Sequence, residues 1–124
     1  MIFGVGIDLC DAGRLEKSLA KQSFLDHVFA PSEQALLAYL GEKRRAETAA
    51  ANFAAKEAFL KAAGTGLGGF AMPELAVLRQ KSGAPCFALT GAAAAWVMEQ
   101  GLTVHVSLTH ERGLANALVI LEKE

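Results

Sequence analysis

The chain has 124 residues and a formal net charge of −1, long enough for one packed domain and too evenly charged for a general nucleic-acid surface. Hydrophobic residues make up 52 %, but no apolar stretch approaches the ~20 residues of a membrane span, and no charged N-terminal segment leads into an apolar run. Cys10 and Cys86 lack metal-ligand spacing, so the expectation is a single cytoplasmic domain over residues 1–124 with reduced thiols.

Residues 2–9 alternate as a strand, with Phe3, Val5, Ile7 and Leu9 on one face. Gly4 and Gly6 leave the other face bare, and Asp8 ends it. Asp11 is placed to cap a helix running to about Lys21, which carries Arg14, Lys17 and Lys21. A short helix is expected over Phe24–Phe29, and Ser32 is placed to cap another over Glu33–Leu40. Past Gly41, uninterrupted strong helix formers predict one long helix from Glu42 to Ala63, closed by Gly64.

That helix holds the most informative anomaly. With Phe53 at the centre of a face, Leu60 and Ala49 fall beside it as an apolar stripe. Glu57 lies in the same stripe, flanked by Lys56 and Lys61, and a core-facing carboxylate is costly unless paired or metal-bound. Phe59 points elsewhere, so the helix is apolar on a second side, covered either by its own domain or by another subunit.

After the glycine-rich turn Gly64–Gly69, strands are expected at Leu75–Arg79 and Cys86–Leu89 around a Ser82–Pro85 turn. Thr90 is placed to cap a helix over Gly91–Gln100. Val104, Val106 and Leu108 alternate with polar residues as a strand, Glu111–Gly113 turns, and Leu114–Leu121 returns. Helices crowd the first half and strands the second, which predicts an α+β fold with an antiparallel sheet packed on the long central helix.

Asp8 and Glu57 both stand where the pattern asks for an apolar or small residue. Brought together they would repel unless a cation sat between them, and oxygen ligands without Cys or His point to Mg²⁺. Spacing alone does not bring them together. Lys61 reads from spacing alone as an i,i+4 partner of Glu57 rather than as a phosphate-binding ammonium. Lys43-Arg44-Arg45 reads as a solvated helix face on charge alone. The glycine turn is no P-loop, since it follows a helix and lacks the Gly-Lys-Ser/Thr ending, and Ser107 with His110 lacks an acid partner for a triad.

Three segments together resemble the small 4′-phosphopantetheinyl transferases: Gly4-Val5-Gly6-Ile7-Asp8-Leu9 followed by Arg14, the run from Phe53 to Gly66, and Val104-His105-Val106-Ser107-Leu108-Thr109-His110 with the strand behind it. The resemblance covers nearly the whole chain. It implies transfer of phosphopantetheine from coenzyme A to a serine of apo-acyl carrier protein, releasing adenosine 3′,5′-bisphosphate. It further implies Mg²⁺ on Asp8 and Glu57, with Lys61 on phosphate. Coenzyme A contacts are expected from Lys43, Arg44, Arg45 and His110 and from Gly64, Thr65 and Gly66, and carrier contacts from Arg14, Lys17 and Lys21. The family's homotrimers carry three sites at subunit interfaces.

The chain departs from the family pattern in places. Asn52 stands where an arginine is usual, so a phosphate contact there is weaker or supplied by Arg44 or Arg45. Gly83-Ala84-Pro85 replaces a Gly-Lys-Pro turn, and Gly68-Gly69 loosens the loop. The competing readings are a coenzyme A or nucleotide-binding module without transferase activity, which Asn52 would mark as a degraded site, and an Ala-rich trimeric structural protein.

Overall fold

The computed structural model describes residues 1–124. Its elements run β1 (Ile2–Asp11), α1 (Ala12–Leu15), α2 (Gln22–Val28), α3 (Pro31–Ala38), α4 (Glu42–Ala63), β2 (Leu75–Arg79), β3 (Pro85–Leu89), α5 (Gly91–Gln100), β4 (Leu102–Glu111) and β5 (Leu114–Lys123). Strands β1, β5 and β4 form an antiparallel sheet in that order, and β2 pairs with β3 in a separate hairpin. The 22-residue α4 lies on the first sheet. No helix is long and apolar enough to cross a membrane.

Two glycines set how closely α4 approaches. A Cβ on Gly6 would stand 1.8 Å from the Ala58 carbonyl oxygen, and one on Gly4 1.9 Å from that of Ala62. Only a bare strand face admits the helix this near. The alanines of α4 serve the same end from the other side: Ala49, Ala50, Ala54, Ala55 and Ala58 are wholly buried.

The helix is covered on almost every side, as its two apolar aspects predict, and the expected stripe is partly core, since Ala49 and Leu60 are buried. Phe53 and Glu57 are only half-buried, whereas Phe59 is wholly buried. Phe59 packs against Phe87, Phe70 and Trp96 at ring-centroid distances of 5.4, 6.3 and 6.5 Å. Phe53 and Leu60 of that stripe also line a cavity.

Three local expectations are corrected. The helix after Asp11 stops at Leu15 and gives way to a single 3₁₀ turn at Ser18–Ala20, consistent with Gly13 weakening its first turn; Asp11 does cap it, accepting from the Gly13 N–H at 2.9 Å. Helix α3 begins at Pro31, so Ser32 lies inside it, and Glu33 reaches back to accept from the Ala30 N–H at 3.0 Å. Thr90 makes no side-chain cap to α5, whose first residue, Gly91, has φ +56°; the Glu74 carboxylate accepts from the Ala93 N–H at 3.1 Å instead.

Candidate active site

The register of the sheet decides which side chains meet. Asp8 pairs with Ala117, opposite Leu108, and Cys10 pairs with Ala115, opposite His110, all on the face that carries α4. Asp8 thus projects from the β1 edge toward the C-terminal half of α4. There the Lys61 ammonium donates to Asp8 Oδ1 at 3.0 Å and to the Ile7 carbonyl at 2.9 Å. Lysine has three N–H donors, so one remains for a ligand, and the side chain is 54 % exposed.

Glu57 completes the cluster. Its carboxyl is held above the ordinary carboxylate range, first by burial and then by Asp8 beside it, with Lys61 and Arg14 pulling the other way. The same two carboxylates, added to burial, push the Cys10 thiol up to about 11. Asp8 Oδ2 is buried and accepts no hydrogen bond. A proton shared with Glu57, a water or a cation would satisfy that oxygen, whereas two ionised carboxylates have nothing to donate to each other. A hard divalent ion of the Mg²⁺ type fits this oxygen pair.

The structure thus brings Asp8, Glu57 and Lys61 together, with Arg14 close enough for its charge to act on Glu57. The Phe53 stripe borders them. Phe53 and Leu60, which flank Glu57 along α4, line a largely apolar cavity of about 790 Å³ with Phe24, Leu67, Phe70 and Met72. Lys17 and Lys21 are exposed, and Lys21 immediately precedes α2, which carries Phe24.

The basic run is divided. Arg44 lines a polar pocket of about 350 Å³ with Glu47, Thr48, Arg79, Gly83 and His110. Lys43 borders a separate recess beside Asp11, Glu16 and Arg112. Arg45 is committed elsewhere, donating from Nε to the Leu37 carbonyl at 3.0 Å and from Nη2 to that of Leu40 at 2.9 Å, which closes the end of α3. Gly64 takes the left-handed cap of α4 at φ +79°, and Gly66 has φ +65°. The Thr65 hydroxyl donates within the same turn.

Two features escape a reading of the sequence. The first is a closed polar cluster on another side of α4. Glu33 and Lys56 are wholly buried and form a 2.6 Å ion pair. Glu33 also accepts from the N–H groups of Ala30 and Val77 and from Asn52, and Lys56 also donates to the Met72 carbonyl at 2.8 Å. The second is Arg79, whose Nη2 donates to Asn52 Oδ1 at 2.9 Å. The one available signal was the Asn52/Lys56 pair at i,i+4 spacing, which puts two polar groups on a single face of a helix that is otherwise mostly alanine there.

A family model of the 4′-phosphopantetheinyl transferase superfamily matches residues 4–115. A holo-[acyl-carrier-protein] synthase of Treponema denticola is 44 % identical over 125 residues, covering 98 % of this chain and 99 % of the relative. The chain belongs to the holo-[acyl-carrier-protein] synthase family. Another member, from Syntrophus aciditrophicus, is 46 % identical over 129 residues, covering 98 % of this chain and 97 % of the relative. Among solved holo-[acyl-carrier-protein] synthases, that of Bacillus anthracis in complex with CoA (3′,5′-ADP) superposes with a TM-score of 0.86 at 32 % identity, covering 100 % of this chain and 99 % of the other. That of Neisseria meningitidis gives 0.89 at 31 %, covering 99 % and 100 %. The expected α+β fold is thereby borne out.

Proposed function

We propose that the chain works as one Mg²⁺-dependent transferase domain that moves 4′-phosphopantetheine from coenzyme A to a serine of apo-acyl carrier protein. The observation that carries the chemistry is the donorless Asp8 Oδ2 buried beside Glu57, with Lys61 alongside. The serine hydroxyl attacks the phosphorus attached to pantetheine, and the P–O bond to the nucleotide side breaks. Adenosine 3′,5′-bisphosphate leaves with the bridging oxygen, and the serine proton is released.

Asp8 and Glu57 would hold the metal, whose contribution when bound is to polarise the phosphoryl group and screen its charge. Lys61, fixed by Asp8 and the Ile7 carbonyl, offers its remaining N–H to a phosphate oxygen as negative charge builds on the departing bisphosphate. The apolar cavity beside Glu57 suits a pantetheine arm. Arg14, Lys17 and Lys21 form a basic approach for an acidic carrier. A cytoplasmic setting agrees with the two free cysteines.

The same reading extends to a homotrimer. Asp8 and Glu57 lie over the β1 edge, whereas Arg44 and His110 line a pocket over the β4 edge, with β5 between them. At about 100° per residue, Arg44, Thr48 and Ala51 fall roughly opposite Glu57 around α4. A head-to-tail contact that closes into a ring would set the metal pair of one copy against the Arg44–His110 pocket of the next. The outer sheet face suits such packing, since Val5, Ile7 and Leu9 are 52, 58 and 57 % exposed beside Leu114, Leu118 and Ile120.

The test is mass spectrometry of apo-acyl carrier protein incubated with the chain and coenzyme A, with and without Mg²⁺. The expected result is a gain of one phosphopantetheine arm that disappears on chelation. No gain with metal present sinks the transferase reading, and coenzyme A binding without transfer would favour a binding module instead.

A further inference from the structure

The buried cluster on α4 carries more positive than negative charge. Glu33 is its one carboxylate, and Lys56 uses it directly at 2.6 Å. Arg79 reaches the cluster only through the neutral amide of Asn52, and no carboxylate lies within ion-pairing distance of its guanidinium. The orientation of that amide is fixed. Both Nδ2 hydrogens are spent, on Glu33 Oε2 and on the Val77 carbonyl, each at 2.9 Å, so Oδ1 must face Arg79.

A guanidinium has five N–H donors. Arg79 uses one on Asn52 and a longer one, 3.4 Å, on the Leu78 carbonyl. Arg79 also lines the polar pocket that holds Arg44 and His110, with Glu47 its single acid. Burial opposes the charge on Arg79 and Glu33 partly offsets that. The geometry leaves a half-buried, oriented, incompletely partnered fork at the wall of a pocket with excess positive charge, which is a site for an oxyanion.

Residues 52 and 84 supply no cation to this region: Asn52 is neutral, and Ala84 lies in the turn whose Gly83 and Pro85 line the pocket. Arg45, one of the two expected substitutes, is tied to the end of α3.

We propose that Arg79, held in place by Asn52, is the residue that reads the ribose 3′-phosphate of coenzyme A in this chain. The inference rests on the transferase reading above. With the diphosphate engaged at Asp8 and Glu57 of one copy, and this pocket supplied by the next copy in the ring proposed above, the 3′-phosphate is the one remaining phosphate of coenzyme A for it. The Asn52–Arg79 pair thus sets the guanidinium at the end of β2.

The test compares coenzyme A with 3′-dephospho-coenzyme A as donors to apo-acyl carrier protein, in wild type, Arg79→Gln and Arg79→Lys. Wild type is expected to favour coenzyme A. Arg79→Gln raises KM for coenzyme A about tenfold or more, leaves kcat within about threefold, and leaves KM for the dephospho donor unchanged. Arg79→Lys, which keeps the charge but not the fork, falls between, and it carries the test if the glutamine variant does not fold. Equal losses with both donors would make Arg79 a structural residue and overturn the assignment, as would no loss with either, or a wild type indifferent to the 3′-phosphate. A wild type that transfers from neither donor would instead sink the transferase reading.

Discussion

Glu33 and Glu57 are carboxylates set against the same helix, and their surroundings differ in one respect. Glu33 is wholly buried, but two backbone N–H groups, an amide and an ammonium donate to it, at 2.6 to 3.1 Å. Glu57 is less buried, and beside it Asp8 Oδ2 has no donor at all. The deeper group is the satisfied one. Depth therefore does not distinguish a structural charge from a functional one here. The distinction lies in whether the chain supplies every partner the charge needs.

The largest expected effect breaks the closed cluster. Lys56→Met removes the ammonium and leaves the buried Glu33 carboxylate without its ion-pair partner, so it should cost about 3–5 kcal/mol, a large part of a small domain's stability. Urea unfolding measures it. A cost under about 1 kcal/mol would mean that Glu33 is less enclosed than its contacts indicate.

Glu57→Gln inverts that outcome. It should lower the transfer rate by about 10²–10³-fold while leaving the fold intact. Single-turnover transfer to apo-carrier, with circular dichroism as the control, checks both halves. Retained activity would remove Glu57 from the metal site.

The pH dependence sharpens the contrast. The folded chain raises the Glu57 carboxyl above its unfolded value, so the folded state binds more protons just above the ordinary carboxylate range. Without metal, stability should fall as pH rises from the unfolded value through the raised one, then level off. Mg²⁺ held by Asp8 and Glu57 would compete with protonation of the raised Glu57 carboxyl, so its effect on Tm should be larger near pH 7.5 than near pH 5. Glu57→Gln should flatten the slope and abolish the metal-induced shift. Equal metal effects at both pH values would break the link between the raised carboxyl and the ion.

The boundaries of α4 were readable from an unbroken run of helix formers, and Asp8 and Glu57 each stood out as a charge at odds with an apolar pattern, but that they meet, with Lys61 beside them, was legible only through the family resemblance. The Glu33–Asn52–Lys56–Arg79 cluster was not readable. Its members come from α3, α4 and β2, and each looks like an ordinary surface residue until the tertiary contacts form. Arg79 is the last residue of a strand, where a charge is unremarkable. The Phe53 stripe was rightly apolar, with Ala49 and Leu60 buried, but the cavity beside Phe53 was not legible. Periodicity reports that a face is apolar, not whether protein or a cavity lies against it.

Salt gives a smaller effect. Arg14→Gln should raise KM for the carrier a few-fold at low ionic strength, and the difference should shrink as salt is added, because exposed charges are screened within about 10 Å at 0.1 M. The donor KM should not move.

The smallest signal tests whether the two flanks of α4 meet across copies. Glu57→Gln damages the metal half of a site and His110→Ala the pocket half. If both halves came from one copy, a mixture of the two variants would stay as impaired as its parts. In a ring with shared sites, a site regains function when the intact metal half of a His110→Ala copy meets the intact pocket half of a Glu57→Gln copy. Random mixing at equal amounts makes about a quarter of the sites whole. Recovery toward that fraction after the subunits are allowed to exchange, and none when they are mixed without exchange, would place each site between neighbouring copies. No recovery despite proven exchange would confine it to a single copy.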